Sequence, residues 1–296
     1  MEFTSHCYKN CIAGTFSRLL DMHGFDNKEE IMRKIHKYVQ TFDDGLNPGF
    51  VYTAVYKQFR SLTGMDDPCY LLKKEENEQG LKAVDVIQNI IAGSSQRMLD
   101  ITKASAAGNL IDVSFGNTFE VEHEIRLKLS EDFSIDHSEL FHRSLLEADS
   151  IVILADNAGE IIIDRLFAQK IHRWRKLHGK RPTDIIVFVK AVPVINDAML
   201  EDAAAAKFDE IARVYDTGCE YIGTPFEYVS DFTKNALIEA DVIIAKGLGN
   251  YESLYYQRHL QKKIFYLMKA KCQIVADMLH VPINSLVCVN GSNLCF

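Results

Sequence analysis

The chain has 296 residues, of which 47% are hydrophobic and 25% are charged. This is the balance of an ordinary globular protein, and it excludes the disordered, collagen-like and coiled-coil classes. The 33 basic and 41 acidic residues give a net charge of −8, so the chain is a poor general binder of phosphate backbones and nucleic acid is not expected as a partner.

The first half of the chain is predicted to be helical. Apolar residues recur at helical spacing over 12–20, 31–39, 84–91 and 99–107. Turn signals lie between these stretches, at Asn47-Pro48-Gly49 and at Asp66-Asp67-Pro68. We therefore expect a mainly helical domain over residues 1–147, covering the site of a second domain.

The second half of the chain changes to short apolar runs, which predict strands over 151–154, 185–189, 242–245, 264–267 and 286–289. Such runs, separated by helical stretches, are typical of parallel strands that are buried on both faces. After the first run, apolar residues from Ile163 to Leu177 fall on one face of a helix. Thr224-Pro225-Phe226-Glu227 has the pattern of a helix start with a Thr N-cap.

The fold class expected from these elements is α/β. We predict a Rossmann-like, three-layer α/β/α domain with a mostly parallel sheet over residues 148–296, joined to the N-terminal all-helical domain.

Membrane and secretory features are not expected. No apolar run approaches the roughly 18 residues that a membrane span needs, and no basic region followed by an apolar stretch suggests a signal peptide. Seven irregularly spaced cysteines favour reduced thiols in a cytoplasmic protein. Cys7 and Cys11 would lie one helical turn apart, and we favour inert thiols over a structural zinc site there. Nothing in the sequence indicates the oligomeric state.

Polar residues follow three of the predicted strands, where open parallel sheets bind their ligands. Asp156-Asn157-Ala158-Gly159-Glu160 follows the first strand and Asn196-Asp197 comes after the second. Lys246-Gly247-Leu248-Gly249-Asn250 follows a third strand. These segments should face one crevice.

The chemistry of these residues points to a metal beside a phosphate. The oxygen donors of Asp156, Asn157 and Asp197 suit Mg²⁺ or Mn²⁺. Lys246, a glycine turn and the start of a helix are typical of an anion site. The combination predicts phosphoryl chemistry in which the metal polarises a phosphoryl oxygen and lowers the pKa of a bound water.

Purely structural interpretations remain open for the same residues. Asn157 could cap a helix with Glu160 as its capping-box partner, and Asp197 and Asp202 could be acids of a helical first turn. Lys246 and its glycines could form an ordinary turn. Six basic residues between Lys170 and Arg181 are interpreted as a solvated face at a helix C-terminus.

Three motifs stand out when they are taken together: Asp156-Asn157-Ala158-Gly159-Glu160, Pro193-x-x-Asn196-Asp197-Ala198-x-Leu200-Glu201-Asp202-Ala203 and Lys246-Gly247-x-Gly249-Asn250-Tyr251-Glu252. Weaker matches are Asp67-Pro68-x-x-x-x-Lys73-x-x-x-Asn77, Gly108-Asn109-Leu110-Ile111-Asp112 and Leu267-Met268-Lys269-Ala270-Lys271-Cys272. Together they resemble the damage-control phosphatases, long catalogued as domain of unknown function 89. The Cys7–Cys11 pair resembles the Cys-x-x-Cys of the short-chain branch, with one residue more.

The resemblance implies a metal-dependent phosphatase with a helical domain on an α/β/α domain. By position, Asp156, Asn157 and Asp197 correspond to the metal ligands and Lys246 to the phosphate-contacting lysine, and Asp156, Asp197 and Lys246 are the expected catalytic residues. The substrate-binding residues expected are Glu160, Asn109, Asp112, Gly247 and Asn250. The resemblance implies Mn²⁺, Co²⁺ or Ni²⁺ as cofactor, with Mg²⁺ as an alternative. The expected substrate is a small phosphorylated metabolite, either a sugar phosphate or a damaged phosphometabolite.

Two other functions stay open. The α/β layout also suits an S-adenosylmethionine-dependent methyltransferase, although an acidic first turn would repel that cofactor's carboxylate. A non-catalytic module that binds a sugar phosphate is the other alternative. Within the phosphatase hypothesis, either water or Asp156 could attack phosphorus.

Overall fold

The computed structural model describes residues 13–43, 45–94, 97–108 and 118–294. Six helices come first in the described part: α1 (Ala13–Met22), α2 (Lys28–Val39), α3 (Pro48–Thr63), α4 (Tyr70–Ala92), α5 (Arg97–Ala107) and α6 (Thr118–Ser130). The elements that follow are β1 (Phe133–Asp136), α7 (Ser138–Glu147), β2 (Ser150–Leu154), α8 (Glu160–Leu177), β3 (Asp184–Val189), α9 (Leu200–Ala205), β4 (Arg213–Asp216), α10 (Asp231–Glu239), β5 (Val242–Lys246), α11 (Gly247–Leu254), β6 (Ile264–Lys269), α12 (Gln273–Leu279) and β7 (Leu286–Asn290). Short 3₁₀ turns lie at Phe208–Glu210 and Gly291–Asn293.

The seven strands form one sheet in the order β1-β7-β6-β5-β2-β3-β4. Strands β2 to β6 run parallel to one another, which confirms the mostly parallel sheet. The prediction that the last strand is parallel is wrong, because β7 pairs antiparallel with β6. The helix α12 of seven residues connects these two strands. An apolar run is the same in either orientation, so the sequence pattern could not give the direction of β7.

Helices cover both faces of the sheet, as the three-layer prediction required. Alternate residues of β2 separate to opposite faces: Ile151 and Ile153 pack with Phe141 and Phe167, whereas Val152 packs with residues of α10 and α11. A third apolar cluster joins α1, α2 and α3 away from the sheet. The apolar runs predicted as buried strands are thus core strands of the sheet. All five residues of β5, for example, are buried.

Three local features differ from the sequence prediction. The edge strands β1 and β4 were not predicted, and β1 extends the sheet into the part before residue 148. Whether 147 separates two domains stays a prediction. The predicted helix start at Thr224 is wrong: α10 begins at Asp231 with Ser230 as N-cap, because the Thr224 hydroxyl donates to Asn250 instead of capping.

Candidate active site

The polar residues after β2 and β3 meet at the carboxyl edge of the sheet. Asn157 and Asp197 form an isolated antiparallel bridge between the two loops. The Ala198 amide donates to the Asp156 carbonyl at 2.8 Å, and the Asn157 side-chain amide donates to the Asp156 carboxylate at 3.1 Å. The structure thus brings together the three residues predicted to bind a metal.

Gly247 brings the end of β5 into the same cluster. Its backbone has a φ of 72°, which favours glycine. A Cβ atom on this residue would lie 2.0 Å from Oδ2 of Asp156, so only glycine lets the carboxylate sit against the backbone. The glycine predicted to face a ligand therefore positions Asp156.

Negative charge accumulates among these residues. Burial raises the pKa of Asp156 well above its ordinary value, and the neighbouring Glu160 and Asp197 carboxylates raise it further. Burial also raises the pKa of Asp197 to about 6, although Lys190, with Nζ 3.7 Å from Oδ2, opposes the shift. The surroundings of both carboxylates therefore disfavour their charged forms.

The donor set suits an oxygen-preferring divalent cation. Within the described residues, no three His, Cys, Asp or Glu side chains form a group that could bind a metal. The predicted set instead consists of two carboxylates and the Asn157 amide, and few oxygen ligands leave positions for water and substrate, as Mg²⁺-like ions prefer. The negative charge gathered on Asp156 and Asp197, which Lys190 offsets only in part, is the structural observation that fits a cation here.

Lys246 lies behind the cluster in a buried ionic network. Its Nζ donates to a Glu160 carboxylate oxygen, to Asp164 at 3.0 Å and to the Ser105 carbonyl at 2.7 Å. Burial lowers the pKa of Lys246, but the carboxylates of Asp164 and Glu160 outweigh it and raise that pKa above its ordinary value. All three ammonium protons are used within the protein in this arrangement, so the predicted phosphate contact of Lys246 stays a prediction.

Asn250 also has its hydrogen bonds satisfied by the protein. Its amide donates to the carbonyls of Lys246 at 2.7 Å and Ala155 at 3.1 Å, and its oxygen accepts from Thr224 at 2.7 Å. Asn250 therefore ties the ends of β2 and β5 together, and its predicted substrate contact is not tested. Asn109, Asp112, Cys7 and Cys11 lie outside the described residues.

The structural interpretations offered by the sequence hold for some of these residues and not for others. Gly159, not Asn157, is the N-cap of α8, and Asp197 precedes the first turn of α9. Asp202 does belong to that first turn, where its carboxylate accepts from the Met199 amide at 2.8 Å. The capping explanation therefore applies to Asp202 and leaves Asn157 and Asp197 available for ligand binding.

A cavity of about 360 Å³ opens in front of this cluster. Asp156, Asn157, Glu160 and Gly247 line it, whereas Asp197, Lys246 and Asn250 lie behind. Its other walls come from α1, α3 and the end of α5, so the helical region helps to enclose it. The volume suits a small metabolite.

Three charged residues of this cavity, Glu252, Lys269 and Lys271, stand in the motifs quoted above, but the sequence analysis gave them no role in the site. Burial raises the pKa of Glu252 to about 7. Lys271 follows β6, so the strand-end rule that pointed to Asp156 would have found it had it been applied to this strand. Glu252 was marked only by its place at the end of the third motif, because its position in the cavity depends on the direction in which α11 leaves the sheet.

Helix α4 holds the two acidic loops from the other side. The Asn77 amide donates to Asp202 at 2.7 Å, and its oxygen accepts from the Gly159 amide at 2.8 Å. The neighbouring Glu76 carboxylate accepts from Asn196 at 3.0 Å. The segment predicted from Asp67 to Asn77 therefore contributes to the site by fixing the loops that carry Asn157 and Asp197.

The fold and the polar site at its strand ends together define a class of proteins. Comparison with known families identifies that class. The model of the damage-control phosphatase ARMT1-like domain matches residues 5–287, and the chain belongs to that family. The chain is 30% identical to the damage-control phosphatase of Pyrococcus horikoshii, over 95% of this chain and 96% of the relative. It is 32% identical to a damage-control phosphatase of Archaeoglobus fulgidus, over 79% of this chain and 80% of the relative.

Two further similarities agree with this assignment. An uncharacterised protein of Methanocaldococcus jannaschii is 34% identical over 88% of this chain and 87% of its own length. The crystal structure of a DUF89 family protein from Pyrococcus horikoshii superimposes with a TM-score of 0.87 at 29% sequence identity, covering 98% of this chain and 99% of that one. Within the described ranges, no helix is both long and apolar enough to cross a bilayer.

Proposed function

We propose that the protein is a metal-dependent phosphatase that hydrolyses phosphomonoesters of small metabolites. The observation that carries the proposal is the pair of carboxylates Asp156 and Asp197. Asp156 lines a metabolite-sized cavity beside Asn157, and the buried Asp197 lies behind it, bridged to Asn157. Family membership and two relatives named as damage-control phosphatases support the reaction. They also favour sugar phosphates or damaged phosphometabolites as substrates.

Asp156, Asn157 and Asp197 would hold the cation, with Mn²⁺, Co²⁺ or Ni²⁺ as the preferred ions and Mg²⁺ as the alternative. Such an ion supplies a Lewis acid that withdraws charge from a phosphoryl oxygen. A bound cation would also lower the pKa of both carboxylates, which their own surroundings raise.

The remaining cavity residues would bind the substrate. Lys269 and Lys271 place positive charge on the cavity wall, and the amides at the start of α11 add partial positive charge. Glu252, with a pKa of about 7, can hold a proton for the leaving oxygen. Lys246 forms ion pairs with Glu160 and Asp164 and holds both carboxylates in place beside the metal ligands.

A phosphate-release assay tests this proposal directly. Chelator-treated protein is given p-nitrophenyl phosphate or a panel of sugar phosphates, with Mn²⁺, Co²⁺, Ni²⁺ or Mg²⁺ added back. We expect release only with added metal. Asp197→Asn should lower the metal-dependent rate at least about a hundredfold, because the ligand loses its charge while its shape is kept.

The control variant is Asp231→Asn, which makes the same chemical change at a carboxylate that is 97% exposed. It should retain the wild-type rate. Full activity of Asp197→Asn would refute the assignment of the metal ligands. Tight binding of a sugar phosphate without turnover, in the presence of every metal, would favour a binding module instead.

A cytoplasmic location belongs to the same proposal. The described cysteines Cys69, Cys219, Cys272 and Cys288 are free thiols. This is the state expected in a reducing compartment.

A further inference from the structure

A second, basic groove lies at the far end of α8. It has a volume of about 800 Å³, and its walls include Lys170, Arg173 and Lys176. A smaller apolar pocket of about 210 Å³ adjoins it and shares Lys170 and Arg173 with it. We call the two together the distal groove.

The distal groove is separate from the candidate active site. Helix α8 begins at Glu160, which lines the active-site cavity, and ends at Leu177. Lys170, Arg173 and Lys176 lie 10 to 16 residues beyond Glu160, or roughly 15–24 Å along the helix axis. A ligand in the distal groove would therefore not occupy the metal and phosphate site.

Structural roles account for only part of the basic cluster predicted to be a solvated face. Arg175 is buried and donates to the Leu146 carbonyl at 2.8 Å, so that prediction is wrong for this residue. Arg175 therefore has a structural role, and Lys180, which also lines the larger pocket, is paired with Glu147 at 2.7 Å. The other three groove cations, Lys170, Arg173 and Lys176, need another explanation.

These three groove cations lack carboxylate partners in the part of the chain that the structure describes. Lys170, Arg173 and Lys176 form no ion pair there, and Arg97 on the opposite wall donates only to the carbonyls of Ala92 and Ser94. Burial lowers the pKa of Lys170, and the charges of Arg173 and Arg97 lower it further. On a chain of net charge −8, a group of mutually repelling cations, of which Lys170 is half-buried and Arg173 and Lys176 are exposed, provides a local site for an anion.

The apolar wall indicates that the anion has an organic part. Ile91, Met98, Trp174 and Leu177 line the smaller pocket beside the shared cations, and Leu177 is 74% exposed. A bare inorganic anion would leave this wall in water, whereas a ring or apolar body would cover it. Aromatic groups stack favourably on tryptophan and on arginine.

We propose that the distal groove binds a small organic polyphosphate of the nucleoside di- or triphosphate class. Lys170, Arg173 and Lys176 would contact the phosphates, and the ring would pack against Trp174 and Leu177. This site is independent of the phosphatase proposed above, and either one can fail without the other.

The single tryptophan of the chain makes the test specific, because Trp174 lies in the wall of this groove. Full-length protein in chelator-containing buffer is titrated with ATP while tryptophan fluorescence is followed. We expect a saturable change whose affinity falls as salt is added. The double variant Lys170→Glu/Arg173→Glu should weaken binding at least about tenfold, since two charge-assisted contacts become repulsive.

The matched control is Lys37→Glu/Lys262→Glu, which makes the same charge change at two exposed lysines away from the groove. It should bind ATP like the wild type. Both double variants should retain phosphate release from p-nitrophenyl phosphate, and the exposed single variant Lys176→Ala serves if the groove double variant does not fold.

Three results would overturn the proposal: no saturable change, unaltered affinity in the groove variants, or an equal loss in the control. Titration with inorganic tripolyphosphate distinguishes the contribution of the cations to binding from that of the apolar wall. We expect it to bind more weakly than ATP, and equal affinity would rule out a contribution from the apolar wall and with it the organic ligand.

Discussion

At the scale of single residues, the contact of Gly247 with Asp156 requires a glycine at this position. Replacing it with alanine would place a methyl group 2.0 Å from a carboxylate oxygen and strain a backbone with φ of 72°. We expect Gly247→Ala to lower metal-dependent phosphate release at least about tenfold, because the carboxylate must leave its position. Phosphate release and urea unfolding, measured on the same preparation, check this.

Gly64 provides the control for backbone strain. Its φ is 70°, but a Cβ there would meet nothing within 4 Å. Gly64→Ala should therefore lose about 1 kcal/mol of unfolding free energy and keep its activity. If both variants lose activity equally, strain rather than the Asp156 contact is responsible.

His142 is a residue whose burial should be visible in the pH dependence of stability. Burial lowers its pKa from 6.5 to about 4, against an opposing effect of Asp136. Thr102 donates its hydroxyl proton to the Met98 carbonyl, so the 2.9 Å contact with His142 requires a proton on Nε2. The folded protein thus holds His142 neutral while the unfolded chain protonates it.

Because the unfolded state binds the extra proton between pH 6.5 and 4, stability should fall as the pH is lowered through this range. The full effect is about 3 kcal/mol. His142→Gln keeps a donor near Thr102 but does not titrate, so urea unfolding at pH 7 and pH 4.5 should show a smaller loss for this variant. An identical loss in both proteins would contradict the prediction.

At the scale of elements, α4 is held against the site by two glycines in contact. A Cβ on Gly80 would lie 2.5 Å from the Gly159 carbonyl oxygen. Glycine to alanine in a helix ordinarily stabilises by up to about 1 kcal/mol, but here we expect Gly80→Ala to destabilise by about 1–3 kcal/mol. It should also lower activity, since Asn77 would lose its hold on the loops of Asn157 and Asp202.

Gly14→Ala is the matched change in α1, where an added Cβ meets nothing within 4 Å. Urea unfolding should show this variant to be as stable as the wild type or slightly more so. A stabilising effect of Gly80→Ala would mean that α4 can move outward without cost.

The elements that the sequence predicted are those whose burial leaves a clear pattern. β5 is buried at all five positions and appears as a continuous apolar run. β1 and β4 are edge strands of four residues with exposed positions, so they carry too few apolar residues to be recognised. The direction of β7 was not readable, because an apolar run is the same in either orientation.

The site, like the fold, could be predicted only where the sequence carries a clear pattern. The strand-end rule located Asp156, Asn157 and Asp197, which the topology does bring together. It could not show that Lys246 is buried against Asp164, 82 residues away, since that pairing depends on how α8 lies across the sheet. The sequence therefore predicted a ligand contact for Lys246 but not its hydrogen bonds to the protein, and the ligand contact stays a prediction.

At the scale of the whole molecule, the cluster of Asp156 and Asp197 should link metal binding to stability. Without a cation, the raised pKa of Asp197 means that the folded state binds more protons than the unfolded chain, so stability falls as the pH rises through about 6. A cation that binds only the folded state reverses this. At a hundredfold excess over Kd it adds about 2.7 kcal/mol, or roughly 5 °C in Tm.

Calorimetry at pH 7 with chelator and with Mn²⁺ measures this linkage. The difference in Tm between Asp197→Asn and the wild type should have opposite signs under the two conditions. Without metal, Asp197→Asn should be at least as stable as the wild type, because the pKa of Asp197 is raised even with Lys190 3.7 Å away, so its charge is disfavoured in the folded state. With Mn²⁺, the wild type should gain stability and the variant should not, so the order of the two Tm values reverses. A purely structural aspartate would make the variant less stable under both conditions, and a metal bound elsewhere would raise both Tm values equally.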